Sequence, residues 1–96
     1  MKTDEAIHFE WDEGNREKLK KHVVETKESE ETFFDAKKVM YKDVLHSTKE
    51  ERFILLGKTK LKRLLYIVFT YRKQNVRIIS ARNINKKEVH LYEKET

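Results

Sequence analysis

The chain has 96 residues and no cysteine, so disulfide staples and thiolate-bound zinc are excluded and one small domain over residues 1–96 must fold on its own core. Hydrophobic residues make up 38% and charged residues 41%, with 22 Lys or Arg against 17 Asp or Glu for a net charge of +5, which argues against disorder and places most charge on a solvated surface. No apolar run reaches the ~18 residues of a membrane span, and Asp4, Glu5 and Glu10 occupy the place of a leader's apolar segment, so the expectation is a soluble cytoplasmic protein.

His8-Phe9-Glu10-Trp11 alternates and predicts a short edge strand. Asp12 then caps a helix running to about His22, with Leu19, His22 and Val23 at i, i+3 and i+4 as its inward stripe. Thr26 is the predicted cap of a second helix, since Glu28, Glu30 and Glu31 crowd its first turn and Lys37 and Lys38 lie at its far end. Phe33, Phe34 and Ala36 supply its buried side. Extended segments follow at Val39–Val44 and Arg52–Leu56, the second stopped by Gly57 and a basic turn. Leu64–Tyr71 is nearly all apolar and reads as a central strand covered on both faces. Val76–Arg82 reads as the next strand.

Short polar connections favour an antiparallel meander over crossover units. The last element has the clearest local grammar: Asn85 as cap and Glu88 three residues on form an Asn-type capping box, flanked by Ile84 and Val89, and the helix runs to about Lys94. The predicted class is α+β, a small antiparallel sheet of about four strands plus the N-terminal edge strand, with two N-terminal helices and one C-terminal helix.

The net charge conceals a division. Residues 1–48 hold 9 Lys or Arg and 12 Asp or Glu, whereas residues 49–96 hold 13 and 5. No acidic residue lies between Glu51 and Glu88, an interval that contains Arg52, Lys58, Lys60, Lys62, Arg63, Arg72, Lys73, Arg77, Arg82, Lys86 and Lys87. Interleaved with Tyr66, Tyr71 and, beyond it, Tyr92, this block has the make-up of a surface for phosphodiesters and unpaired bases.

Metal chemistry finds no support in the spacing of His8, His22, His46 and His90, and two glycines cannot build a nucleotide-cofactor loop, so no metal and no cofactor is expected. No serine sits in a nucleophile turn, and the basic block lies on strands and turns rather than on a membrane-seeking helix. RNA cleavage needs neither, because the 2′-hydroxyl is an internal nucleophile. It requires a proton acceptor, a proton donor and cations for the phosphorane. Arg82 ends its strand beside the entrance of the last helix, where Glu88 and Tyr92 share a face at i and i+4, so the three can converge. His22 is a further proton carrier by its ordinary titration range.

Phe9-Glu10-Trp11-Asp12, Lys21-His22, Phe33-Phe34-Asp35, Glu51-Arg52-Phe53-Ile54-Leu55-Leu56-Gly57 and Ile78-Ile79-Ser80-Ala81-Arg82 with Glu88 and Tyr92 occur in an order that resembles the BrnT family of toxins. The resemblance covers nearly the whole chain. It implies a RelE-like fold, an RNA-cleaving toxin of a type II toxin-antitoxin system, a BrnA-like ribbon-helix-helix antitoxin, and operator DNA bound only through the complex with it. The family often places Gly directly after its Lys-His pair; here Val23 stands there. Together these readings nominate Arg82, Glu88, His22 and Tyr92 as catalytic and Arg77, Arg72, Lys73, Arg63 and Lys21 as RNA-binding. The competing reading is a non-catalytic nucleic-acid or ribosome-binding module.

Overall fold

The computed structural model describes residues 7–94 and is α+β. Its helices are α1 (Glu13–Lys20), α2 (Thr26–Glu31) and α3 (Lys86–Lys94), and its strands are β1 (Val39–Lys42), β2 (Phe53–Lys58), β3 (Leu64–Arg72) and β4 (Asn75–Asn83). Single 3₁₀ turns at Thr32–Phe34 and Val44–His46 complete it. The sheet is the expected antiparallel meander in the order β1-β2-β3-β4. The predicted N-terminal edge strand reduces to one parallel bridge, Phe9 to Val76 on the outer side of β4.

Asp12 caps α1 as expected, and the box closes with Asn15, whose backbone N–H donates to the Asp12 carboxylate at 3.1 Å while its own side-chain oxygen accepts from the Asp12 N–H at 2.7 Å. The helix stops at Lys20, short of the predicted His22, for a reason visible in the hydrogen bonds. Val24 N–H reaches back to the Leu19 carbonyl at 3.1 Å and Val23 N–H to the Lys20 carbonyl at 3.0 Å, the paired bonds of a Schellman stop. That motif requires a left-handed residue, and Val23 supplies it with φ 55°. The chain turns so that Leu19 and Val24 enter the core while Val23 is 79% exposed and His22 lies in solvent, which corrects the predicted Leu19-His22-Val23 stripe. In α2 the cap is Glu25, not Thr26: its N–H donates to Glu28 Oε1 at 3.0 Å. Phe33 is buried, but Phe34 is 55% exposed, because the chain tightens into a 3₁₀ turn there.

Gly57 does not end β2, which continues through Lys58. Its missing side chain serves close approach instead: a Cβ there would stand 2.8 Å from both Leu55 Cδ2 and Thr32 Cβ and 2.9 Å from the Thr32 carbonyl oxygen. The sheet therefore rests directly against the Thr32–Phe34 turn. On this face Leu55, Leu65, Ile67, Phe69, Ile78 and Ala81 pack with Leu19, Val24 and Phe33 into the main core. The other face carries a smaller cluster, Ile54 and Leu56 with Tyr92 of α3, flanked by Leu64 and Tyr66. β3 is consequently covered on one face from Leu65 to Phe69 and partly on the other, less than its all-apolar sequence predicts.

Gly57→Ala is expected to lower stability by about 1–3 kcal/mol through overpacking, and Val23→Gly to raise it by about 1–2 kcal/mol by relieving the left-handed β-branched residue. Denaturant unfolding of both variants checks the pair, which must shift the midpoint in opposite directions.

Candidate active site

β4 carries one residue too many for an unbroken ladder. Phe69 pairs with Ile78 but Val68 pairs with Ser80, so Ile79 is the bulged residue. An unbroken register would set Ala81 opposite Tyr66. With the bulge, Tyr66 faces Arg82, Val68 faces Ser80 and Thr70 faces Arg77, which returns Arg77 and Arg82 to one side of the strand although they are five residues apart. Ile78 and Ala81 both reach the core for the same reason.

Arg82 is held on three sides. Its guanidinium carbon lies 3.8 Å from the centre of the Tyr66 ring, and it grips Glu88 through both carboxylate oxygens, Nη1 to Oε1 at 2.9 Å and Nη2 to Oε2 at 2.8 Å. Nη1 also donates to the Asn83 carbonyl at 3.0 Å. Glu88 in turn accepts from the Asn85 N–H at 2.9 Å, while Glu88 N–H donates to Asn85 Oδ1 at 2.9 Å. One carboxylate thus closes the capping box of α3 and fixes the arginine. Burial raises the Glu88 carboxyl, but the bonds from Arg82 and Asn85 outweigh it and hold the group below its ordinary range. The Arg82 charge is reinforced chiefly by its bond to Glu88.

Two tyrosines border this pair. Tyr66 and Tyr41 are both pushed up from the ordinary phenol range, chiefly by burial, with Glu88 and Asp43 adding to each and Arg82 opposing them. Neither was singled out in the sequence as a site residue: Tyr66 belonged to the basic and aromatic block, and Tyr41 only to the extended segment Val39–Val44. Their signal is the register itself, because the hairpin and its bulge decide which tyrosine meets Arg82.

Tyr92 shares a helix face with Glu88 but serves another knot. It is 5% exposed, and its hydroxyl donates to Asp35 Oδ2 at 2.7 Å. That carboxylate also accepts from the backbone N–H groups of Lys58 at 2.9 Å and Lys37 at 3.0 Å. Burial and the Asp35 carboxylate push the Tyr92 phenol up to about 12. Burial raises Asp35, yet the Tyr92 hydroxyl and the two N–H groups leave it lowered overall.

The remaining nominated cations divide between clamps and exposed groups. Arg77 binds Asp12 through Nη1 at 2.9 Å and lies 3.6 Å from Glu10, which together with the Asn15 N–H lowers the Asp12 carboxyl. Arg72 lies 3.6 Å from Glu10 and 3.5 Å from Glu50. Arg63 donates to Glu28, to the Val23 carbonyl and to Asn83 Oδ1, each at 2.9 Å, and to the His22 carbonyl at 3.4 Å. Lys73 is exposed in the β3–β4 turn, and Lys21 and His22 are exposed beyond α1. No described contact joins His22 to Arg82.

The site is thus a paired arginine and carboxylate beside two tyrosines, carried by a four-stranded sheet and its last helix, an arrangement of the kind that binds phosphodiesters. Residues 11–88 match the family model described as ribonuclease toxin, BrnT, of type II toxin-antitoxin system, and the chain belongs to this family. It is accordingly a ribonuclease toxin, with RNA as substrate and an antitoxin as partner. Comparison with curated proteins gives no significant match. Among the described residues no helix is long and apolar enough to cross a membrane.

Two titrations follow. The lowered carboxyl of Glu88 contributes stability that is complete above its ordinary value of 4.5 and lost as pH falls through the depressed native value. Unfolding free energy of Glu88→Gln measured from pH 5 downward should therefore decline less steeply than that of the parent. Tyr92 behaves in the opposite sense: its stabilisation is whole below 10.0 and disappears as pH rises toward about 12. Tyr92→Phe, which forfeits a hydrogen bond to a carboxylate worth about 1.5–3 kcal/mol, should lose that alkaline dependence in the same measurement.

Proposed function

We propose that the chain is a metal-independent endoribonuclease whose RNA cleavage inhibits translation and growth, working in the cytoplasm. The observation that carries this reading is the Arg82-Glu88 pair stacked on Tyr66. Glu88 and the Asn83 carbonyl take three of the five guanidinium N–H groups of Arg82, and donors remain on Nε and Nη2 to grip a phosphate oxygen. As the 2′-oxygen attacks phosphorus, charge builds on the non-bridging oxygens. A guanidinium already oriented by its carboxylate meets that charge without reorganising. Glu88, lowered in its titration and committed to Arg82 and Asn85, is better suited to orienting the arginine than to accepting a proton.

The chemistry needs no metal, because the nucleophile belongs to the RNA and the stabilising charge to Arg82. Neutralisation is assigned to a BrnA-like ribbon-helix-helix antitoxin, with operator DNA bound through that partner, and this rests on the family alone. The exposed Lys73, Lys21 and Arg72 are further phosphate contacts away from Arg82, the first and last at the turn end of the β3–β4 hairpin, whereas Arg63 and most of Arg77 are engaged within the fold.

Purified protein incubated with RNA in EDTA is expected to cut it. Arg82→Ala should lower the rate about 10²–10³-fold, the usual loss when one stabilising donor is removed, and should release growth arrest in cells. If Arg82→Ala combined with Glu88→Ala halts growth and cuts RNA as the parent does, this site is wrong. RNA that stays intact while shifting in a gel identifies a binding module instead.

A further inference from the structure

The turn between β1 and β2 holds a second pair that the Arg82 site does not use. His46 Nδ1 lies 2.9 Å from Asp43 Oδ2, and the two side chains are unequally placed: Asp43 is 13% exposed and His46 66%. Asp43 is fixed from its backbone outward. Its N–H donates to the Arg52 carbonyl at 2.8 Å, its carbonyl accepts from Ser47 Oγ at 2.6 Å, and the same Ser47 oxygen accepts from the Arg52 N–H at 2.9 Å. A carboxylate so anchored dictates the imidazole's tautomer. Nδ1–H faces Asp43, and the lone pair of Nε2 is presented to solvent.

This pair shares a face of the sheet with the site already described and lies toward its Arg77 end, since β1 runs from Val39, in the row of Leu56, Tyr66 and Arg82, to Lys42, in the row of Phe53, Phe69 and Ile78. Asp43 lies two residues beyond Tyr41 on the same strand direction, and Tyr41 pairs across the sheet with Ile54, Ile54 with Val68 and Val68 with Ser80, the residue between the two arginines on their side of β4. The Asp43 carboxylate also bears on the phenols of both Tyr41 and Tyr66, as does Glu88, so all four groups share the α3 side of the sheet with Arg82. His22 is exposed beyond α1 and has no carboxylate to orient its ring; its carbonyl accepts from Arg63, whose guanidinium also reaches Asn83.

We propose that His46, oriented by Asp43, is the proton acceptor for RNA cleavage, with Tyr41 and Tyr66 forming the floor on which the nucleotide lies between it and Arg82. The inference rests on the ribonuclease reading above. In the step, neutral His46 Nε2 takes the proton of the ribose 2′-hydroxyl as O2′ bonds to phosphorus. The P–O5′ bond then breaks, the leaving O5′ takes a proton from water, and His46 returns its own proton to water. The products are a 2′,3′-cyclic phosphate and a 5′-hydroxyl, with no water consumed and no redox change. Asp43 is a positioning residue that acts only through the imidazole.

The test uses the full chain, total cellular RNA and EDTA, with the rate of cleavage, the chemistry of the new ends and gel-shift affinity as readouts, and His90→Ala as control. His46→Ala should cut at least 100-fold more slowly with affinity held within about threefold, lose the acid limb of the pH–rate profile, and recover part of its rate when imidazole is added. Asp43→Asn should lower kcat about tenfold and leave KM unchanged. His46→Ala cutting at the parent rate, or losing rate only in step with affinity, overturns the proposal and leaves the ribonuclease reading standing. A parent protein that cuts no RNA overturns both.

Discussion

Everything in this fold depends on how the carboxylates of the amino-terminal segment meet the arginines of β3, β4 and the loop before them. From Arg52 to Lys87 the chain has no acid of its own, and the β3–β4 pairing sets Arg72 diagonally beside Arg77, so the acids that answer them come from outside that interval. Glu10 and Asp12 answer Arg77, Glu10 reaches Arg72, and Glu28 answers Arg63. Of these only the Arg63-Glu28 pair has both side chains mostly covered, and exposed or half-covered pairs contribute registration more surely than net stability. Arg63 shows it best, since one guanidinium holds the stop of α1, the first turn of α2 and the end of β4 in a single arrangement. The charge division along the chain is therefore cancelled in space at Arg63, Arg72 and Arg77, and the basic surface left for a polyanion falls mainly to lysines and Arg82.

Arg82 differs from the other arginines in the source of its partner. Glu88 comes from α3, not from the amino-terminal half, and it also caps that helix. The start of α3 and the pose of the guanidinium are thus one event. Further along, the Tyr92-Asp35 bond ties the same helix to β2 and to the turn after Phe34. Two side-chain ties at successive turns compensate for the small apolar area between α3 and the sheet, which amounts to Tyr92 on Ile54 and Leu56 with partly buried neighbours. The packing of the main core lies on the opposite face, so the sheet separates most of the apolar core from the Arg82-Glu88 pair.

What was legible in the sequence was local. The strands, the meander, the Asp12 cap and the Asn85-Glu88 box follow from alternation, short connections and three-residue spacing, all of which reside in neighbouring residues. The Arg82-Glu88 pairing was within reach because the box fixes where Glu88 sits relative to the strand end. Failures arose where the local rule met a longer-range one. Gly57 reads as a stop, yet it is glycine because Thr32 lies against it. Val23 reads as an inward apolar residue, yet the Schellman bonds of Leu19 and Lys20 set it in a left-handed, solvent-facing position. Tyr92 was expected to join Arg82 and Glu88, and its spacing from Glu88 is right, but a carboxylate 57 residues away takes its hydroxyl.

The bulge at Ile79 is the clearest case of a site decided by one residue. Alternation over Val76–Arg82 is interrupted by the doublet Ile78-Ile79, which in hindsight is the mark of an inserted residue, though it reads equally as a strand buried on both faces. Only the pairing with β3 decides between them. Were Ile79 in the ladder, Ala81 would face Tyr66 and Arg82 would turn toward the main core, where an arginine without a carboxylate is not tolerated. Arg82 therefore owes its stacking on Tyr66 and its reach to Glu88 to a backbone irregularity three positions upstream. Because the ring and the carboxylate hold the guanidinium from different directions, the fold alone fixes its orientation, which under the function proposed above is the condition for electrostatic stabilisation to cost nothing at the moment of reaction.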